Sequence, residues 1–329
     1  MARILYLADL EHAFDEPTRI ARLAALVADL RGDDALVLGG GDNTAPGVLA
    51  MRDDRYAALP FFEAVGLDAD AIGNHEFDRP LDATADLCRA SPQSWVCANL
   101  GDDEATTAFR DAAGVVPWTV LEAGGDRVGV VGVASPATAE ISPRARDLTF
   151  TDPVSAARDA VTAVRREGVD HVVVLSHVGD DDPLARALDV PVVLGGHVHD
   201  RREAVVDGTL LCRPGAVGKR LVEVELDAGG ADLSWHRTGA ATPAPGVERT
   251  YRNRLADLGL DEVVARLDEP VPRDAKNGES AVGNFVADAI LRAADADVAL
   301  MRGGSVRDDV RLAGAVTVAA LVSLVPFDN

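Results

Sequence analysis

Gly73 to Asp78 compress an amide, an imidazole and two carboxylates into six residues: Gly73-Asn74-His75-Glu76-Phe77-Asp78, after the mostly apolar approach Asp70-Ala71-Ile72. Such a run is costly inside a fold, because every buried polar group needs a partner. Four more polar clusters punctuate the chain: Asp9-Leu10-Glu11-His12, Asp42-Asn43, His177, and His197-Val198-His199. The chain has 7 histidines; His75, His177, His197 and His199 lie in these clusters, with His12 beside one. His171 and His236 stand apart and read as structural or exposed. A lone histidine is more often packed or solvated than functional. Four of them at separate places, each near glycine, asparagine or aspartate, ask for a common purpose. Imidazole, carboxylate and carboxamide together suit divalent transition metals such as Zn²⁺ or Mn²⁺.

Those clusters must be positioned by the elements before them, and each follows a strand-like segment. Residues 3–8 read as a buried strand, 35–38 as a second running into Gly39-Gly40-Gly41, and a third leads into Gly73. Residues 171–175 and 190–194 read as strands ending at His177 and at Gly195-Gly196-His197. Between them, apolar residues at helical spacing predict helices over 18–31, around 61–65, over 81–89 and from Pro153 to about 167. A strand over 95–99, a hairpin of 118–122 with 127–133 turned by Gly124-Gly125-Asp126, and strands near 209–213 and 221–226 complete this part. Strands and helices alternate early and strands pair locally later, which predicts an α/β arrangement, a mixed sheet system flanked by helices. Open sheets of this kind place sites at the carboxyl ends of strands. Residues 242–246 read as a boundary, 251–268 as a linker helix, and a second unit with a helix over 280–294 begins near Pro270.

A length of 329 residues predicts about two domains. No stretch approaches a membrane span, and no secretory leader is visible before the strand at Arg3, so a soluble cytoplasmic protein with no membrane partner is expected. Cys88, Cys97 and Cys212 lack metal-like spacing and read as small core residues in a reducing compartment. The net charge is −22, built from 39 Asp and 15 Glu against 30 Arg and only 2 Lys, spread along the chain. Acidic, lysine-poor surfaces stay soluble in molar salt, where self-repulsion is screened. This surface resembles those of salt-in halophiles. It also argues against a nucleic-acid polymer as partner, which would want a basic patch.

The succession Asp9-x-Glu11, Gly41-Asp42, Gly73-Asn74-His75-Glu76, His177, Gly196-His197-x-His199 resembles the calcineurin-like metallophosphoesterase signature D-x-H, G-D, G-N-H-E/D, H, G-H-x-H. Phe77-Asp78 narrows the resemblance to the 5′-nucleotidase branch. Glu279-Ser280-Ala281-Val282-Gly283-Asn284, Gly303-Gly304-Ser305-Val306-Arg307 and Pro326-Phe327-Asp328-Asn329 resemble that branch's C-terminal substrate-binding domain. The resemblance implies a four-layer α/β-β/α sandwich over residues 1–245, a linker with a helix over 246–270, and part of an α/β substrate domain over 271–329. It implies two divalent metal ions, Mn²⁺ or Zn²⁺ with Mg²⁺ as an alternative. One would be held by Asp9, Glu11, Asp42 and His199, the other by Asp42, Asn74, His177 and His197. Two metals close together polarise phosphoryl oxygens and supply the nucleophile for in-line displacement. His75 would face the phosphate, oriented by Asp78, with Glu76 supporting.

The signature has D-x-H where this chain reads Asp9-Leu10-Glu11, with His12 one place late. Strand alternation would put residues 9 and 11 on one side, favouring Glu11 over His12. Arg307 would bind substrate phosphate or carboxylate, helped by Arg273 and Lys276. Phe327 would stack on a nucleobase beside Asn329. The resemblance implies hydrolysis of 5′-nucleoside monophosphates; the alternatives are a 2′,3′-cyclic phosphodiesterase, a nucleotide-sugar or dinucleotide pyrophosphatase, and a non-catalytic metal-binding member. Relatives continue well past the point where this chain ends. An exposed apolar edge at 319–325, open to a partner surface or an oligomer, is therefore expected.

Overall fold

A computed structural model describes residues 1–53, 56–228, 230–271, 279–301, 306–307 and 312–325. Two six-stranded mixed sheets form its centre. The first contains β1 (Ala2–Leu7), β2 (Ala35–Gly39), β3 (Ala69–Ala71) and β4 (Ser94–Val96), all parallel. The second begins with the hairpin β5 (Trp118–Ala123) and β6 (Asp126–Ala134), turned at Gly124-Gly125. From β6 it continues through β7 (His171–His177) and β8 (Val192–Gly195). The hairpin β9 (Arg201–Val206) and β10 (Thr209–Pro214) then closes it, β10 lying parallel to β8. The chain returns to the first sheet, where β11 (Arg220–Asp227) and β12 (Gly230–Arg237) pair antiparallel outside β1.

Each sheet is apolar on both faces, so both must be covered. Ile4, Tyr6, Leu36 and Leu38 of the first sheet meet Val130, Val173, Leu175 and Leu194 of the second between the layers. Leu5, Leu7 and Val37 face outward onto Ile20, Leu23 and Val27 of the helix Pro17–Leu30 and onto Phe61 and Phe62. Val131, Val133, Val172 and Val174 face Ala157, Val161 and Val164 of the helix Pro153–Arg165. The result is the four-layer helix–sheet–sheet–helix sandwich expected from the sequence. Strands β9 and β12 escape the sequence reading because they alternate between exposed and half-covered residues, with no fully buried side chain.

The expected linker helix over 251–268 is corrected. The helix is Pro245–Asp257, with Tyr251 buried against Phe14 and its hydroxyl donating to the Ala57 carbonyl at 2.8 Å. After it, β13 (Val263–Leu267) pairs antiparallel with β14 (Gly314–Thr317). The helix Ala281–Ala294 turns Val282 and Val286 onto Val306, Leu312, Val316 and Leu324, a separate small core. The expected exposed edge at 319–325 is also corrected. Ala319 is buried in the main core and Leu324 in the small one, because the helix Val318–Val322 docks back near the start of the chain. Among the described residues, the large apolar side chains that do reach solvent here are Val263, Val264, Phe285, Ile290, Val298 and Leu300. Among the described residues, no helix is long and apolar enough to cross a membrane. All three cysteines are buried and unpaired.

Candidate metal centre

The carboxyl ends of β1, β2, β3, β7 and β8 converge, and the polar clusters of the sequence meet there. The loops after β1 and β2 are stitched together by Asp9 N–H to Gly41 O at 3.0 Å and Glu11 N–H to Asp42 O at 3.1 Å. Among the described residues, four of the eight non-glycine residues with positive φ are predicted ligands: Asp9 (52°), Glu11 (47°), Asp42 (52°) and His197 (70°). That backbone is unfavourable for a side chain with a Cβ, and it persists only where the surroundings enforce it. Here it aims these side chains into one cluster. Two glycines make the close approach possible. A Cβ on Gly41 would lie 2.7 Å from His177 Nδ1, and one on Gly73 would collide with the Asp42 carboxylate and lie 2.8 Å from His177 Nε2.

Asp42 is central. Its Oδ1 accepts from the His75 backbone N–H at 2.7 Å, and its Oδ2 lies 3.0 Å from His177 Nε2. His177 Nδ1 lies 2.7 Å from the Gly40 carbonyl, so the proton sits on Nδ1 and Nε2 faces the cluster. Asp42, His177 and His197 present ligand atoms all within 4.8 Å of one another, and so do Glu11, Asp42 and His75; Asp42 belongs to both groups. Asp9 Oδ1 accepts from the His197 backbone N–H at 2.9 Å. His199 Nε2 lies 3.1 Å from Glu11 Oε1 and 3.8 Å from Asp9 Oδ1.

Burial pushes the Asp9 carboxyl up to about 7, against the pull of His177's charge. Burial also pushes Glu11 up, but the hydrogen bond and charge of His199, then the charge of Arg307, hold it below the usual range. Burial and the charge of His177 lower His197 to about 4. These groups fit divalent cations on their own chemistry. Three carboxylates share one buried cluster, an arrangement that needs positive charge. Among the described residues, the buried Asn74 Oδ1 has no hydrogen-bond partner.

Glu11 reaches the cluster for a reason other than strand alternation. β1 ends at Leu7, and Glu11 opens the short 3₁₀ turn Glu11–Asp15. Its left-handed backbone, not a period of two, directs the carboxylate inward. His12 is buried next to it, with Nδ1 3.7 Å from Glu11 Oε2.

His75 opens the 3₁₀ turn His75–Asp78, which brings its Nδ1 to 2.9 Å from Asp78 Oδ2. Burial disfavours its imidazolium, but the charge of Asp42 and the hydrogen bond and charge of Asp78 outweigh that and raise it to about 9. Arg307 comes from the small C-terminal unit and places Nη1 3.2 Å from Glu11 Oε2. Arg273, Phe327 and Asn329 lie outside the described residues, as do Lys276 and Gly303-Gly304-Ser305.

A second layer holds the first. Glu76 accepts from the backbone N–H of Asp42 (2.9 Å), Asn43 (3.0 Å) and Gly73 (2.7 Å) and from the Thr44 hydroxyl (3.0 Å). Asp70 accepts from Gly41 N–H and from the Asn43 amide, each at 3.0 Å. Burial raises both carboxyls above the ordinary range. Behind the His197–His199 loop, buried Arg213 donates to Asp181 (2.7 Å), Asp200 (3.0 Å) and the Gly179 carbonyl (2.7 Å). Sequence reasoning gave Asp70, Asp181 and Arg213 no role. A carboxylate inside the apolar strand Ala69-Asp70-Ala71 is the signal that was available for Asp70.

Comparison with known proteins agrees with this geometry. The calcineurin-like phosphoesterase profile matches residues 2–201, and the 5′-nucleotidase C-terminal domain profile matches residues 263–329. The chain is 25% identical over 351 aligned residues to the trifunctional nucleotide phosphoesterase protein YfkN of Bacillus subtilis, covering 89% of this chain and 24% of that protein. It is 24% identical over 338 residues to endonuclease YhcR of the same organism, covering 90% of this chain and 27% of that one. It thus spans about a quarter of the length of these relatives. The crystal structure of a 5′-nucleotidase precursor from Thermus thermophilus superposes with a TM-score of 0.84 at 26% identity, over 100% of this chain and 74% of that one. Signature, fold and site thus agree, and the chain belongs to the calcineurin-like phosphoesterases, a family of metal-dependent phosphoester hydrolases.

Proposed function

We propose that this chain hydrolyses 5′-nucleoside monophosphates to nucleoside and phosphate. The observation that carries the reading is the convergence of Asp9, Glu11, Asp42, Asn74, His177, His197 and His199 at the ends of neighbouring strands, with the His75–Asp78 pair beside them. Asp9, Glu11, Asp42 and His199 would hold one divalent ion, and Asp42, Asn74, His177 and His197 a second, with Asp42 between them. Mn²⁺ or Zn²⁺ best suits the mixed donors, with Mg²⁺ as an alternative; when bound, the ions polarise the phosphoryl oxygens and activate the nucleophile.

The chain's own part is positioning and proton handling. Asp78 fixes the His75 ring through Nδ1, so that Nε2 is the nitrogen that addresses the substrate. A ring kept protonated by Asp42 and Asp78 stabilises negative charge on the phosphoryl group and gives its proton to the departing ribose oxygen. Glu76 and Asp70 keep the loop of Asp42 from relaxing, so the donors hold their geometry through the reaction. Arg307 stands beside Glu11, where its guanidinium offers a fork for a substrate oxyanion. The boundaries proposed from sequence, 1–245 for the catalytic unit and 271–329 for the start of the substrate unit, belong to this reading, as do a cytoplasmic location and a halophilic habit.

A substrate panel with Mn²⁺ tests it. AMP, GMP and UMP are expected to turn over faster than 2′,3′-cyclic nucleotides, dinucleotides and single-stranded DNA. Failure of all three monophosphates, while a cyclic, diphosphate or polymeric substrate reacts, would overturn it.

A further inference from the structure

Asn43 stands in one of the polar clusters of the sequence, yet it is not among the proposed metal ligands. It is fully buried. Its backbone N–H donates to Glu76 Oε1 at 3.0 Å. Its side-chain Nδ2 donates to both oxygens of the Asp70 carboxylate, each at 3.0 Å, and its Oδ1 accepts from the Leu10 backbone N–H at 3.3 Å. The amide can sit only this way round, because the Leu10 N–H can only donate. One side chain therefore ties the loops after β1 and β2 to the strand β3.

Leu10 is the residue between two left-handed ones. The backbone runs from Asp9 (φ 52°) through Leu10 (φ −66°, ψ −37°) to Glu11 (φ 47°). Alternating left- and right-handed residues turn successive N–H groups toward one concave side, which then calls for acceptors. The loop after β2 supplies all three: the Gly41 carbonyl to Asp9 at 3.0 Å, Asn43 Oδ1 to Leu10 at 3.3 Å and the Asp42 carbonyl to Glu11 at 3.1 Å. The outer two are backbone carbonyls, which any residue type would offer. The middle one is set by a side chain. Left-handed backbone at residues with a Cβ persists only where the surroundings impose it, so the residue type at position 43 bears directly on where the Asp9 and Glu11 carboxylates point. Asp70 in turn holds the Asn43 amide. It can reach across because β2 ends in glycine: a Cβ on Gly39 would collide with the Asp70 carboxylate.

From this we infer that Asn43 is a positioning residue for the metal centre: held by Asp70, its amide oxygen fixes the loop after β1 so that Asp9 and Glu11 face one ion. The inference rests on the two-ion reading above. The other ion depends on Asn43 less, because Asn74 and His177 come from the loop after β3 and the end of β7, and Asp42 keeps its own hold through Glu76 at 2.9 Å.

The test is titration of the full chain with Mn²⁺ against a competing chelator, which resolves the affinity of each bound ion. Asn43→Asp sets a carboxylate against Asp70 and drives the side chain off the Leu10 N–H. One ion is expected to weaken by about 10–100-fold and the other by less. The ion that weakens more should be the one that Glu11→Gln also weakens. Exchanging the two residues, Asn43→Asp with Asp70→Asn, restores a donor–acceptor pair between positions 43 and 70 and leaves an acceptor for Leu10, so wild-type affinity should return. Should Asn43→Asp fail to fold, Asn43→Ala adds no charge and is read by the same loss. Affinities that do not change, two ions that weaken alike, or a loss that the exchange does not reverse would overturn the proposal. If wild type binds a single ion, the two-ion reading fails by itself, and that ion decides for Asn43: a loss reversed by the exchange supports the role, and any other result overturns it. No binding by wild type overturns both.

Discussion

At the residue scale, the account rests on His75 and the groups that hold it. His75→Ala leaves every proposed metal ligand in place, so bound metal is expected to stay constant while kcat falls by about 10²–10⁴-fold. Metal analysis and steady-state kinetics on the same preparation check this; loss of metal, or unchanged turnover, would count against the assignment. Asp78 raises the His75 ring through a 2.9 Å hydrogen bond and its charge, so Asp78→Asn lowers the ring's proton affinity. The protonated form is the active one in the proposed reaction. The alkaline limb of the kcat–pH profile should therefore move to lower pH in this variant, and a limb that does not move would separate Asp78 from His75. Glu76 is more demanding. It satisfies three backbone N–H groups and a hydroxyl, and Glu76→Gln would turn an amide N–H₂ toward donors at a cost of about 1–3 kcal/mol, read by chemical denaturation. The types of these residues were legible in the sequence. Their backbone was not: nothing in Asp9-Leu10-Glu11 announces two left-handed residues, and strand alternation does not describe how Glu11 comes to face the cluster.

At the element scale, the strand ends do the assembling. The buried strands β1, β2, β7 and β8 were readable because they are continuous apolar runs bounded by glycine or polar residues, and so the places where the ligands gather were readable too. Strands that are half exposed, β9 and β12, carry no such signal. The misplaced helix over 251–268 has a similar origin. Val263-Val264 resembles the apolar face of a helix until its partner strand, some fifty residues later, is known. Long-range support is the other thing sequence hides. Arg213 and Asp181 lie 32 residues apart and form a buried pair behind the His197–His199 loop. Breaking that pair leaves a carboxylate without its counter-charge, so Arg213→Met is expected to destabilise the fold by about 3–5 kcal/mol. The loop that loses its support should also bind metal about 10–100-fold more weakly. Competitive chelation alongside thermal unfolding measures both effects, and a variant of wild-type stability would contradict the role given to the pair.

At the scale of the whole molecule, charge and the metal centre dominate. A net charge of −22 opposes the compact state at low ionic strength and is screened in concentrated salt, where the Debye length falls to about 3 Å near 1 M. The thermal midpoint is expected to rise from dilute buffer to molar KCl; a midpoint independent of salt would remove the halophilic reading. The small C-terminal unit is joined to the catalytic unit through buried Ala319 and through Arg307 at Glu11, so it reaches the site and is more than an appendage. All of this surrounds the seven side chains proposed to hold two cations. The most direct test of that claim is the number of divalent ions bound per chain, measured by elemental analysis after dialysis to saturation in Mn²⁺ or Zn²⁺. Two ions per chain, falling when Asp42 is replaced by asparagine, is the result expected; one ion or none in the wild-type chain would contradict it.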